Sequence, residues 1–246
     1  MSIFVLIGGG ENGREGTNYE TEAIDKEIIK LANKVQDIHF LFLAHGNNYE
    51  KSYYEVMKKI YQDKFKCVCD ILAKEEICNK DIVKQKLEWA DIIYVGGGNT
   101  LYMMNLWRRN GIDKILKQYI NKEKIFCGIS AGAISWCRYG ISDSKISNKN
   151  DNFIRVSGLN LFNILFCPSY DKRVEKRENI EKIIRKTKLP MLALENGTAL
   201  VIENDKYKAI HSLENKKIYK FLYKDKQIYK CEIPFNRENE SIINLV

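Results

Sequence analysis

Residues 125–137 read IFCGISAGAISWC, an apolar run that passes through Gly128-Ile129-Ser130-Ala131-Gly132 into small residues suited to a helix start. A Gly-x-Ser-x-Gly turn between strand and helix is a nucleophile elbow, which holds a serine hydroxyl above the end of a sheet. The chemistry of such a hydroxyl is acyl transfer. It attacks a carbonyl carbon, and the oxygen that turns negative needs fixed N–H donors. The N–H of Ala131, next after the serine, is one. A glycine loop would supply the second, and two such loops are present, Gly8-Gly9-Gly10 and Gly96-Gly97-Gly98-Asn99. Both follow expected strands, so both fall with Ser130 on the carboxyl edge of a parallel sheet, where open α/β sheets bind ligands. Gly97 or Gly98 is the expected second donor, with Gly10, Gly96 and Asn99 on the same edge. Tight strand-to-helix turns would account for either glycine run alone. Neither run ends in the Lys-Ser/Thr of a phosphate loop or forms a clean Gly-x-Gly-x-x-Gly, so nucleotide binding is disfavoured.

These residues need a frame. Short apolar runs alternate with longer amphipathic segments through the first two thirds of the chain, the rhythm of a parallel sheet covered by helices. Strands are expected at 3–7, 38–44, 67–72, 92–95, 125–128 and 164–167. Helices are expected near 20–32, 49–61, 79–89, 100–108, 112–121 and 173–186. After Pro190 the runs shorten and are broken by turns such as Asn196-Gly197 and Lys224-Asp225, which predicts antiparallel strands along one margin. The expected architecture is an α/β three-layer sandwich with a mainly parallel central sheet, helices on both faces and an antiparallel C-terminal margin, in one domain over residues 1–246.

Composition narrows the class. Hydrophobic residues make up 45% and charged residues 29%, enough to bury a full core and not a composition for disorder. The net charge of +8 raises nucleic acid as a partner, but the basic residues are interleaved with acids, as in YDKRVEKRENIEKIIRK at 170–186, which reads as a solvated helix face. The opening MSIFVLIGGGE is too short to span a membrane and lacks a basic leader, so it is read as a first strand. Seven cysteines without a framework spacing fit a reducing cytoplasm. Cys67-x-Cys69 has no second ligand pair, so no zinc site is expected.

Three further segments carry a family likeness: DIIYVGGGNTLYMMNLWRRNGID (91–113), GISAGAISWCRYGISDS (128–144), and FCPSYDKR (166–173) followed by LALENGTALVI (192–202). With LIGGGE at the start, they resemble the S51 peptidases, the aspartyl dipeptidase (peptidase E) and cyanophycinase-like proteins, on a class I glutamine amidotransferase-like fold. The resemblance implies a serine peptidase that removes an N-terminal aspartate from dipeptides and uses no metal or cofactor. It places Ser130 on the nucleophile, and Ala131 with the Gly96-Gly97-Gly98 loop on the oxyanion hole. Amidotransferases of this fold carry cysteine at the elbow; Cys127 lies three residues too early, which disfavours glutamine hydrolysis.

One departure bears on mechanism. The resemblance implies a general-base histidine after the proline of CPSYD, and this chain has Ser169 there. A hydroxyl has no useful basicity near neutral pH, which leaves Ser130 unactivated. The orienting acid implied by the resemblance is Glu195, at a strand end, or Asp143, after the elbow; Glu195 is favoured. Among the three histidines, His39 is at the wrong strand end, His211 lies late in the margin, and His45 alone closes a strand at the ligand edge. A local turn role is preferred for His45. Arg138 and Arg173 are candidate partners for a substrate carboxylate, which guanidinium binds bidentately. Two functions follow as expectations: an impaired S51-type hydrolase of small peptides, or a non-catalytic relative that binds an acidic small molecule or peptide. Neither a nucleic-acid nor a membrane partner is expected, and the chain is expected as a monomer or homodimer.

Overall fold

Five apolar runs of the first half form β1 (Ile3–Ile7), β2 (His39–Leu43), β3 (Val68–Ile71), β4 (Ile92–Val95) and β5 (Ile125–Ile129) in the computed structural model, which describes residues 2–14, 16–48, 50–148, 151–235 and 240–242. Between and after them run α1 (Glu22–Leu31), α2 (Glu50–Lys58), α3 (Lys80–Trp89), α4 (Thr100–Asn110), α5 (Ile112–Tyr119) and α6 (Ala131–Trp136). Each crossover returns the chain to the same sheet end, so the strands pair in parallel in the order β1-β5-β4-β2-β3. Alternate side chains then serve opposite faces. Leu6, Leu41, Leu43, Ile93 and Val95 share a core with α3 to α6, and Val5, Ile7, Phe40, Phe42 and Tyr94 share one with α1 and α2.

The helix expected at 49–61 begins, among the described residues, at Glu50 and passes into a π-helical turn, Lys59–Lys64; Tyr49 lies outside the described residues. Asn99 caps α4 by accepting a hydrogen bond from Tyr102 N at 2.9 Å, and Gly111, at φ 72°, supplies the left-handed residue that ends it.

The second half departs from a single margin. Two strands not expected from the sequence, β6 (Cys137–Ser142) and β7 (Ile154–Ser157), join β8 (Phe162–Cys167) and β9 (Met191–Leu194) in a second sheet. Gly197, at φ 71°, then turns the chain out of that sheet. β10 (Thr198–Glu203) and β11 (Lys206–His211) extend the first sheet antiparallel beside β1, and β12 (Ile218–Lys224) and β13 (Gln227–Ile233) return to complete the second; the short β14 (Glu240–Ser241) pairs with β11. Six strands order as β13-β12-β9-β8-β6-β7, with β9, β8 and β6 parallel. One face of this sheet, through Phe166, Leu192 and Ile218, enters the core shared by α6. The other, through Leu165, Cys167 and Phe221, lies under α7 (Arg177–Thr187).

Helix α7 starts four residues later than expected. Arg173 turns inward, donating to Ile141 O at 3.0 Å, and the chain on either side of it forms the 3-10 turns Tyr170–Lys172 and Val174–Lys176. Among the described residues no helix is long and apolar enough to cross a membrane.

Candidate active site

The elbow is built by two glycines and one strained serine. Ser130 adopts φ 53° and ψ −109°, a sparsely populated backbone for a residue with a side chain. Its N–H is held by Ile7 O at 3.0 Å. A β-carbon on Gly128 would lie 2.4 Å from the Gly132 carbonyl, and one on Gly132 would lie 2.0 Å from Val95 O. Only glycine lets α6 start so close against β4 and β5. As the first helical residue, Ala131 offers an N–H with no intrahelical acceptor.

Gly97 faces this elbow from the end of β4: a β-carbon there would come within 3.7 Å of Ser130 Cβ. Gly97 and Gly10 line one cavity of about 500 Å³ together with Glu11, Asn12, Arg14 and Tyr53. Asn12, Arg14 and Val56 continue into a neighbouring cavity of about 490 Å³ that reaches Tyr19, Lys59 and Lys64. The other members of the loop have structural tasks. Gly96 N–H bonds Leu43 O at 2.9 Å and Asn99 N–H bonds Gly46 O at 2.7 Å, and the Asn99 amide donates to Ser144 O at 3.2 Å. A β-carbon on Gly98 would lie 2.2 Å from Gly46 O, so that glycine allows two loops to touch.

Ser169 follows β8 and meets the same edge. Its N–H bonds Gly8 O at 2.9 Å. Ser130 and Ser169 therefore hang from the successive carbonyls of Ile7 and Gly8 at the end of β1. The Ser169 hydroxyl donates to Gly8 O at 3.4 Å, a long contact. Ser169 Oγ and Asn196 Oδ1 close over Gly9, where a β-carbon would lie 2.6 Å from one and 2.4 Å from the other. Asn196 Oδ1 is buried without a hydrogen-bond partner.

The profile of peptidase family S51 matches residues 4–210. The chain belongs to peptidase family S51. Its S51 sequence is 30% identical over 242 residues to the Bacillus subtilis peptidase YgaJ, covering 95% of this chain and 98% of that one. Two solved structures share the fold: a peptidase from an acI-B1 actinobacterium, with TM-score 0.71 and 15% identity over 95% of this chain and 97% of that one, and a putative peptidase E from Listeria monocytogenes, with TM-score 0.63 and 21% identity over 86% and 98%. These likenesses give the fold as the glutamine amidotransferase-like one of the S51 peptidases.

Within this S51 frame the remaining sequence candidates take definite places. Glu195 turns its carboxylate to Lys217 N–H at 3.0 Å, toward the second sheet. Asp143 is 57% exposed and meets Arg173 at 3.4 Å. Neither is hydrogen-bonded to Ser169. Arg173 is buried, stacked 4.6 Å over Phe153, so the carboxylate-binding role expected of it gives way to anchoring β6. Arg138 bonds Asn163 Oδ1 at 2.8 Å, at the start of β6 and β8 and thus the end away from the cleft. The arginine that does line the cavity is Arg14, paired with Glu11 at 2.8 Å; it sits in a polar hairpin without a motif, and only its nearness to Gly10 hinted at it.

Each of the three histidines has a local partner. His45 is fully buried; its Nδ1 accepts from Trp107 Nε1 at 2.8 Å and its Nε2 donates to Leu72 O at 2.7 Å. Burial pushes its pKa down to about 4, and both ring nitrogens are engaged. The local role preferred for it agrees with this geometry. His39, at the amino end of β2, bonds Trp89 O, and His211, the last residue of β11, bonds Leu213 O. Cys127 is enclosed in the core, and burial holds its thiol well above the ordinary cysteine value, so it is no alternative nucleophile. Among the described residues no group of His, Cys, Asp and Glu side chains could hold a metal ion.

Proposed function

We propose that this S51 chain is a slow serine hydrolase of small acidic peptides, with Ser130 as nucleophile and no base at position 169. The observation that carries the reading is at the end of β1: a strained, partly exposed Ser130 faces Gly97, and Ser169, the position where the resemblance expects a base, is bonded to the next carbonyl of the same strand end. Ser130 Oγ attacks the peptide carbonyl carbon, its proton passes to water, and the carbonyl electron pair moves onto oxygen. Collapse expels the amine, which takes a proton from water, and a second water cleaves the resulting ester. The first step lacks imidazole, which elsewhere contributes about a hundredfold or more. Arg14, Lys59 and Lys64 line the cleft with Glu11 and Asp63, a basic excess of one charge that supports a substrate with carboxylates.

Restoring the base tests this. Ser169 is left-handed, at φ 48°, a conformation histidine tolerates better than most residues, and an imidazole there would stand beside the orphaned Asn196 Oδ1. Ser169→His is expected to raise hydrolysis of Asp-X dipeptides by on the order of a hundredfold, and Ser130→Ala to abolish it in both backgrounds. Brisk turnover by the native chain that Ser169→His leaves unchanged would mean another base. If neither form cleaves dipeptides or reacts with a serine-directed phosphonate, yet acidic peptides bind, the chain is a binding protein on the S51 fold.

A further inference from the structure

Gly97 N–H, which with Gly98 N–H is an expected second oxyanion donor, is already directed at a side chain. It points to the hydroxyl of Tyr53 on α2, at 3.4 Å, while the Asn12 amide on the same cavity wall donates to Met57 Sδ at 3.1 Å. The ring cannot swing away easily. It packs edge-on against Phe42, with centroids 4.9 Å apart, and lies so close to Gly96 that a β-carbon there would meet Tyr53 Cε1 at 2.8 Å. A phenol oxygen has two lone pairs and one hydrogen. With a lone pair turned to Gly97 N–H, the hydroxyl is left with its hydrogen to offer to the cavity that Tyr53 and Gly97 line together.

We propose that the Tyr53 hydroxyl is the second oxyanion donor of this site, acting with the N–H of Ala131 and itself polarised by Gly97. The inference rests on the hydrolase reading above. Tyr53 keeps its proton throughout: it donates a hydrogen bond to the carbonyl oxygen as Ser130 Oγ adds to the carbon. Gly97 then has an indirect part, holding the phenol oxygen rather than the substrate. A tyrosine on α2 thus completes a hole that the glycine loop leaves half made.

The test uses the full chain and a diphenyl phosphonate analogue of aspartate. Ser130 Oγ forms a bond to phosphorus, phenol departs with the serine proton, and the phosphoryl oxygen takes the oxyanion's place. Labelling is followed by intact mass in the native chain, Tyr53→Phe, Tyr54→Phe and Ser130→Ala, and again with Ser169→His added. Loss of one oxyanion donor slows such steps by about 100- to 1000-fold, so Tyr53→Phe is expected to fall by on the order of a hundredfold in both backgrounds. Tyr54→Phe is expected to label at the native rate, and Tyr53→Phe to bind an Asp-X dipeptide with unchanged Kd by calorimetry. Equal labelling of Tyr53→Phe and native chain would overturn the proposal while leaving the hydrolase reading intact. No labelling of Ser130 in any background would overturn both. Should Tyr53→Phe fail to fold, 3-fluorotyrosine at position 53, which keeps the ring and makes the hydroxyl a stronger donor, is expected to speed labelling, and an unchanged or slower rate would count against the proposal.

Discussion

Asp25 is fully buried on α1, and replacing it with asparagine should change how the stability of the chain depends on pH. Its carboxylate accepts from Tyr19 OH at 2.9 Å, Thr21 Oγ1 at 2.8 Å and Tyr61 OH at 2.7 Å. Lys64, 5.0 Å over the Tyr19 ring, gives only a distant positive charge, while Tyr94 and Cys127 face the group from β4 and β5. Burial outweighs the three hydroxyls and raises the carboxyl from 3.8 to about 6. An acid raised on folding favours the compact state when protonated. Its contribution is full below pH 3.8 and is lost as pH climbs through 6, a change of roughly 3 kcal/mol, most of it between pH 4 and 6.

The native profile alone would hide this effect. Neutral His45, pushed down to about 4, acts in the opposite sense, losing stability as pH falls from 6.5 toward 4. Urea unfolding of native chain and Asp25→Asn across pH 4 to 7.5 removes the His45 contribution by subtraction. The native chain should lose stability relative to the variant by about 2 to 3 kcal/mol over that range, with the difference levelling off near pH 7. A difference that stays flat would mean that Asp25 does not titrate in this window, and the account of its burial would fail.

Two further substitutions probe the frame of the site. Gly132→Ala places a β-carbon 2.0 Å from Val95 O, an overlap with backbone that is expected to cost about 3 kcal/mol or more, read as a lowered urea midpoint; a variant of native stability would contradict the packing of α6 on β4. His45→Ala leaves Trp107 Nε1 and Leu72 O without partners and should cost roughly 3 kcal/mol, with phosphonate labelling per folded molecule unchanged; slower labelling would make His45 the base after all.

What could be read from the sequence was local. Gly128-x-Ser130-x-Gly132 and Gly96-Gly97-Gly98 announce themselves because close backbone approach excludes side chains, a demand expressed within a few residues. The parallel strands were legible for a similar reason, each being an apolar run followed by a helix of matching period. The second sheet was not. Its strands pair across distant segments, as β9 does with β8 and β12, and Asn196-Gly197 reads equally as a hairpin turn or as an exit to another sheet. Arg173 carries the same ambiguity. Its charge suggests a ligand partner, whereas its burial depends on Phe153 and Ile141, which nothing adjacent to it in the chain predicts. Tyr53 gave no signal because a tyrosine on an amphipathic helix is ordinary until its hydroxyl is placed beside Gly97.

The end of β1 is stitched by main chain: Ser169 N–H to Gly8 O, Gly197 N–H to Gly9 O and Gly8 N–H to Thr198 O, at 2.8 to 2.9 Å. None of these bonds involves a side chain at 169. The position behaves as a socket, held in place by its backbone whatever it carries. Under the proposed hydrolase reading, exchange of the group it presents is expected to alter the rate of the chemistry with little effect on folding. On that reading a melting curve would not separate the native chain from Ser169→His, and the difference between them is to be assayed at Ser130 itself.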